Sequence, residues 1–164
     1  MYEIMICPIK KLYELALEGD MSEVAVLAVS SYDINKAKLE SFYKILCLSF
    51  DDITDVNAGS SFTYDIAIEI ADYIRSLPHN LDTLFICCDS GESRSSAMAA
   101  AITRFNGLDE MKIWRNPQYH PNSLVYNTLC NALGLVETTA QTAEKVKINK
   151  DAFDNLINSK RNNS

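Results

Sequence analysis

The 164 residues carry 15 Lys and Arg against 22 Asp and Glu, a formal charge of -7, and 48% of them are hydrophobic. That is enough apolar material for a sizeable core, which excludes global disorder, and the length suits one domain better than two. An acidic chain lacks the basic footprint that nucleic acids and anionic membranes require, and no apolar run approaches the roughly 20 residues of a membrane span, so neither is an expected partner.

Glycine and proline are scarce, at 5 and 4, which argues against an all-β fold built on tight turns. The five cysteines are Cys7, Cys47, Cys87, Cys88 and Cys130. An odd count, with a first stretch (MYEIMICPIKK) that lacks the charged-then-apolar order of a secretory signal, points to reduced thiols and a cytoplasmic location. His79 and His120 are far apart, and no Cys/His spacing suggests zinc, so neither a metal nor another cofactor is expected.

Taken in order, residues 3–7 are a short apolar run that reads as a buried strand. Residues 9–18 follow with Ile9, Leu12, Leu15 and Ala16 at helical spacing. A second strand is expected over 23–29, a short helix over 35–43, and a third strand over 44–50. The strand at 44–50 runs into the acidic stretch Asp51, Asp52, Ile53, Thr54, Asp55. Residues 64–77 form a clear helical pattern through Ile66, Ile70, Tyr73, Ile74 and Leu77. A fourth strand covers 83–88, and an alanine-rich helix covers 95–105, stopped by Asn106-Gly107. Helices are expected at 108–115 and 122–133, the latter ending at Gly134. Beyond Val136 the chain is polar, with one or two helices expected and its acidic and amide residues read as a solvated face. Residues 1–150 are read as one domain and 151–164 as a C-terminal helix or frayed tail. Strands alternating with helices imply an α/β fold, a central and mostly parallel sheet of about four to five strands flanked by helices.

In such folds ligands bind at the carboxyl ends of strands. The fourth strand leads into Cys88-Asp89-Ser90-Gly91-Glu92-Ser93-Arg94-Ser95. A loop of this length, between a strand and a helix, can curl so that its backbone N–H groups form an anion-binding concavity. The helix behind it adds its positive dipole end. Gly91 permits a backbone angle other residues resist. Arg94 can fork onto two phosphate oxygens and stays charged, and the same field favours a thiolate at Cys88. Residues 89–93 would cradle the anion. One site then binds an anion, activates a nucleophile and stabilises a transition state.

These residues resemble the signature loop of the cysteine-dependent protein tyrosine and dual-specificity phosphatases, H-C-x-x-G-x-x-R-[ST], with Cys88, Gly91, Arg94 and Ser95 in register. The segment 117–126, PQYHPNSLVY, is similar to compact bacterial members. The resemblance implies a phosphatase-like fold. It also implies a metal-independent phosphomonoester hydrolase acting on a phosphorylated protein or small phosphate ester. Cys88 would form a phosphocysteine, Arg94 would hold the phosphoryl group, and Ser95 would assist the departing thiolate. The family places its general acid on an upstream loop. Asp52 best matches that register, Asp51 is second and Asp55 third, against the plain reading of loop residues or helix caps.

Two departures stand out. Cys87 occupies the place of the usual histidine, and its side chain is expected to point away from Cys88 along the strand. Asp89 and Glu92 bring two negative charges to the loop, with side chains expected outward on the rim. They open the alternative of a catalytically weak phosphate- or phosphopeptide-binding pseudophosphatase. A rhodanese-like sulfur carrier is a further alternative, disfavoured by the Gly-x-x-Arg-Ser ending. Cys7, Cys47 and Cys130 lie in apolar stretches and read as core. Tyr119 and His120 read as rim or surface, Trp114 and Tyr126 as packing.

Overall fold

The apolar runs pair in register in the computed structural model, which describes residues 2–162. Four strands, β1 (Glu3–Pro8), β2 (Met21–Ser30), β3 (Phe42–Ser49) and β4 (Thr83–Cys88), form one sheet in the order β1-β4-β2-β3, every pair parallel. Parallel neighbours need crossovers, and helices supply most of them. α1 (Ile9–Leu15) links β1 to β2 and α2 (Tyr64–Arg75) links β3 to β4, while α3 (Arg94–Phe105), α4 (Met111–Trp114), α5 (Ser123–Ala132) and α6 (Thr139–Asn162) follow the last strand.

Alternation along the inner strands splits the core in two. Ala25, Leu27 and Val29 of β2 and Leu84, Ile86 and Cys88 of β4 join the larger cluster with α2, α3 and α5. Val26, Ala28 and Cys87 face the smaller cluster with Ile9, Leu12, Leu39 and Phe42. The period-2 expectation for Cys87 and Cys88 therefore holds: they lie on opposite faces of the sheet. Ala97, Ala99, Ala100 and Ala101 in α3 are all fully buried, and their small side chains let the helix lie close on the sheet. Burial of each large apolar residue, such as Leu84 or Ile86, contributes about 1.5–3 kcal/mol.

Several boundaries differ from expectation. Residues 35–43 are not an α-helix. Lys36–Leu39 is one 3-10 turn, and β3 already starts at Phe42. The apolar spacing of Leu39, Phe42 and Tyr43 mimics a helix, but Leu39 and Phe42 are buried from a turn and a strand respectively. The helix expected at 108–115 shrinks to the single turn α4, entered through the Asp109 carboxylate, which accepts the Met111 N–H at 3.0 Å. The C-terminal segment is one helix running unbroken through residue 150, and its polar residues are not all solvated: Glu137, Thr142 and Asn149 are buried. Among the described residues, no helix is long and apolar enough to cross a membrane.

Candidate active site

β4 lies between β1 and β2, so Cys88 at its end is flanked by Pro8 and by the last residues of β2. The chain then turns through residues 89–93 into α3. Gly91 makes the turn possible twice over. Its φ is +77°, and a Cβ there would sit 2.7 Å from the Pro8 nitrogen and 2.8 Å from the Cys7 carbonyl carbon. The loop therefore packs directly on β1.

The Cys88 thiol is buried, 3.1 Å from the Ser95 hydroxyl, and accepts the Gly91 N–H at 3.3 Å. The loop's later carbonyls are engaged outside the turn. The Glu92 carbonyl accepts from the His120 N–H and the Ser96 hydroxyl, and the Ser93 carbonyl accepts from the Ala97 N–H and again from Ser96. Committing these acceptors to α3 and the 120–122 segment fixes the turn at the helix's positive end.

Arg94 is 5% exposed. One terminal nitrogen donates to the Phe50 carbonyl at 2.7 Å and to the Ser31 hydroxyl at 3.2 Å, anchoring the guanidinium beneath the end of β3. The other donates to the Asp89 carboxylate at 2.6 Å. Its Nε–H is buried with no hydrogen-bond partner among the described residues. A buried guanidinium N–H left unpaired is costly, and any oxygen acceptor reaching it would relieve that cost.

Asp89 does not point free of the loop as expected. Its carboxylate accepts from the Ser30 hydroxyl at 2.5 Å, from the Ser31 N–H at 3.2 Å and from Arg94. Burial alone would raise its pKa, but the Ser30 hydroxyl, the Arg94 guanidinium and the Ser31 N–H outweigh that and hold it below the usual carboxylate range. Ser30 and Ser31 had no motif to mark them; their role follows only from β2 ending beside β4. Glu92 is exposed, with Gly91, Gln118, Tyr119 and His120 around one side of the mouth.

The three candidate acids separate clearly. Asp52 Oδ1 accepts from the Ser93 hydroxyl at 2.9 Å and from the Asn122 side-chain amide at 2.8 Å, which brings Asp52 onto the loop. Asp51 turns to Ser60 and Ser31, whose hydroxyls lower its pKa, helped by the Arg94 charge. Asp55 accepts the Asn57 N–H at 2.9 Å and shapes its own turn. Cys88, Arg94, Ser95 and Asp52 are thus brought together on the turn formed by residues 89–93. Asn122 was legible in sequence only as a helix start. Trp114 and Tyr126 are fully buried and meet edge to face at 5.1 Å between ring centroids.

Cys87 meets Cys7 across the β1–β4 pair, with the sulfurs 3.2 Å apart. The shared hydrogen bond and burial push the Cys87 thiol well up, so it is the member that stays protonated. Burial also pushes Cys130 up, to about 11. All five cysteines are free.

No family model matches the chain, and no curated protein matches it significantly. Among solved structures, a crystal structure of PTPMT1 in complex with PI(5)P is similar at 15% identity and a TM-score of 0.51, over 87% of this chain and 94% of that one. The chain has a protein tyrosine phosphatase-like fold. A structure of Tk-PTP in the active form also matches, at 18% identity and a TM-score of 0.44, over 90% of each chain. At these identities the likeness is one of architecture.

Proposed function

We propose that this phosphatase-like chain is a phosphomonoester hydrolase that works through a phosphocysteine. The observation that carries the reading is the pairing, on one loop at the start of α3, of a buried Cys88 thiol in contact with Ser95 and Gly91 and a buried Arg94 with an unpartnered Nε–H. The loop N–H groups, the helix end and the guanidinium supply the positive field, so no metal is needed to neutralise the phosphate.

In the first step the Cys88 thiolate attacks phosphorus. The P–O bond to the leaving group breaks, and Asp52 gives its proton to the departing oxygen. In the second step water attacks the phosphocysteine, the Asp52 carboxylate takes the water's proton, and the S–P bond breaks. Ser95 donates to the sulfur as it regains its charge. The products are an alcohol or phenol and inorganic phosphate. The substrate would be a phosphorylated protein or a small phosphate ester. The acidic residues at the mouth of the site disfavour a polyanionic headgroup, nucleic acid or an anionic membrane as partner. Five free thiols favour a reducing, cytoplasmic setting.

A second reading, a catalytically weak phosphate-binding module, is favoured by the Asp89–Arg94 ion pair, which occupies part of the clamp. Rapid mixing with p-nitrophenyl phosphate separates the two. Wild type should release a stoichiometric burst of nitrophenol and Cys88→Ser none. A wild type that binds phosphate yet gives neither burst nor turnover establishes the binding module instead.

A further inference from the structure

Asn122 is 5% exposed, and its side chain is used at both ends. Its Oδ1 caps α5 by accepting the Val125 N–H at 3.1 Å. Because the cap needs an acceptor there, the amide orientation is fixed, and Nδ2 must face the other way. Nδ2 donates to Asp52 Oδ1 at 2.8 Å and to the Ile53 carbonyl at 3.2 Å. The same Asp52 oxygen accepts the Ser93 hydroxyl at 2.9 Å.

Asp52 sits on an exposed segment between β3 and α2. A carboxylate on such a segment has several rotamers, and only a narrow set serves proton transfer, which needs hydrogen-bond reach to the leaving oxygen. Two donors from separate elements, the anion loop and the start of α5, select one. They also distinguish the two oxygens. Oδ1 is committed to two donors, so a proton placed there would break one of those bonds. Oδ2 is the oxygen left to carry it.

We propose that Asn122 is a positioning residue for the general acid, holding Asp52 against the anion loop with Oδ2 as the proton-bearing oxygen. This rests on the phosphatase reading and on Asp52 as its acid. A residue that only capped α5 would have no reason to influence one class of substrate more than another.

The test compares p-nitrophenyl phosphate, whose leaving group departs readily, with phenyl phosphate, whose leaving group needs the proton. Asn122→Ser keeps a good helix cap but is too short to replace the amide's second contact. Asn122→Asp keeps the cap and sets a second carboxylate against Asp52. Thermal melting confirms that each variant is folded. Both should lose more activity on phenyl phosphate than on p-nitrophenyl phosphate. The ratio of the two rates should rise about 10- to 100-fold, toward the ratio shown by Asp52→Asn. In the Asp52→Asn background, Asn122→Ser should change that ratio by less than about twofold, since no acid remains to be positioned. A folded Asn122→Ser with the wild-type ratio, beside an Asp52→Asn that does raise it, overturns the positioning role and leaves the phosphatase reading intact. An Asp52→Asn with the wild-type ratio overturns the acid assignment and this inference together. A wild type that shows neither burst nor turnover overturns the phosphatase reading itself.

Discussion

Asp89 holds part of the guanidinium that a phosphate would need. Its carboxylate is 2.6 Å from Arg94 and is steadied by Ser30 and Ser31, so a substrate must share or displace it. Arg94 is buried but the Asp89 side chain is 35% exposed, so solvent screens the pair and holds its contribution to about 1 kcal/mol. Asp89→Asn should therefore tighten competitive inhibition by inorganic phosphate about two- to fivefold; an unchanged or weaker inhibition constant would show that Asp89 organises Arg94 rather than competes for it. The stability effect has a definite sign. A carboxyl whose folded pKa lies below its ordinary 3.8 stabilises the fold above that value and loses the contribution as pH falls through the folded one. The Asn variant lacks that contribution, so its stability should decline less steeply than wild type below about pH 4, as read from urea midpoints. Glu92 remains the free charge of the pair expected at the rim. Glu92→Gln alone should then reduce a preference for phosphopeptides with basic flanks, an effect that shrinks in high salt. An identical ranking of peptides in both proteins would remove Glu92 from substrate choice.

At the scale of elements, β4, the loop at 89–93 and α3 were readable because each obeys a local rule: a continuous apolar run, a glycine at a forced turn, an alanine-rich helix. Gly91 shows how tightly the three are joined. With φ at +77° and the backbone of Cys7 and Pro8 under 3 Å from a built Cβ, there is no flexible side chain to give way. Gly91→Ala should cost about 2–4 kcal/mol and weaken phosphate binding as well. A variant as stable as wild type in urea would mean that β1 shifts aside. What was not readable is pairing across distance. Asp52 and Asn122 are 70 positions apart, and neither carries a motif that names the other. Residues 35–43 failed for a different reason, since a turn followed by a strand reproduced helical spacing by accident of Leu39 and Phe42. Position 87 tests the missing histidine. Cys87→His puts a larger ring into the packed contact with Cys7, on the face opposite Cys88. The orientation predicts that the pH dependence of Cys88 alkylation stays unchanged in a folded Cys87→His variant; a shifted profile would show that position 87 reaches Cys88 through the backbone.

Across the whole molecule the cleft depends on α6, which does not touch the Cys88 sulfur. Asn149 of α6 donates to the carbonyls of Trp114, Asn116 and Tyr119, pinning the segment whose next residue, His120, donates its N–H to the anion loop. The upstream end of α6 is fastened by Glu137, whose fully buried side chain is bound by Arg104 of α3 and by Lys145 of α6 at 2.8 Å. Burial alone would raise its pKa, but Lys145 and Arg104, with Thr142, hold it below the ordinary 4.5. A carboxyl depressed in this way contributes stability above that value and loses it as pH falls through the folded pKa. Glu137→Gln leaves Arg104 and Lys145 only their longer carboxylate contacts to Glu110, at 3.9 and 3.8 Å, and should cost about 2–4 kcal/mol near pH 7. The gap to wild type should then close with acidification, because below the folded pKa the wild type also holds a neutral side chain there. Calorimetric melting across the acid range measures this directly. A gap that stays constant from neutral pH to the acid limit would mean that Glu137 acts through shape and hydrogen bonding, and that the charge it carries does not hold α6 to the body of the fold.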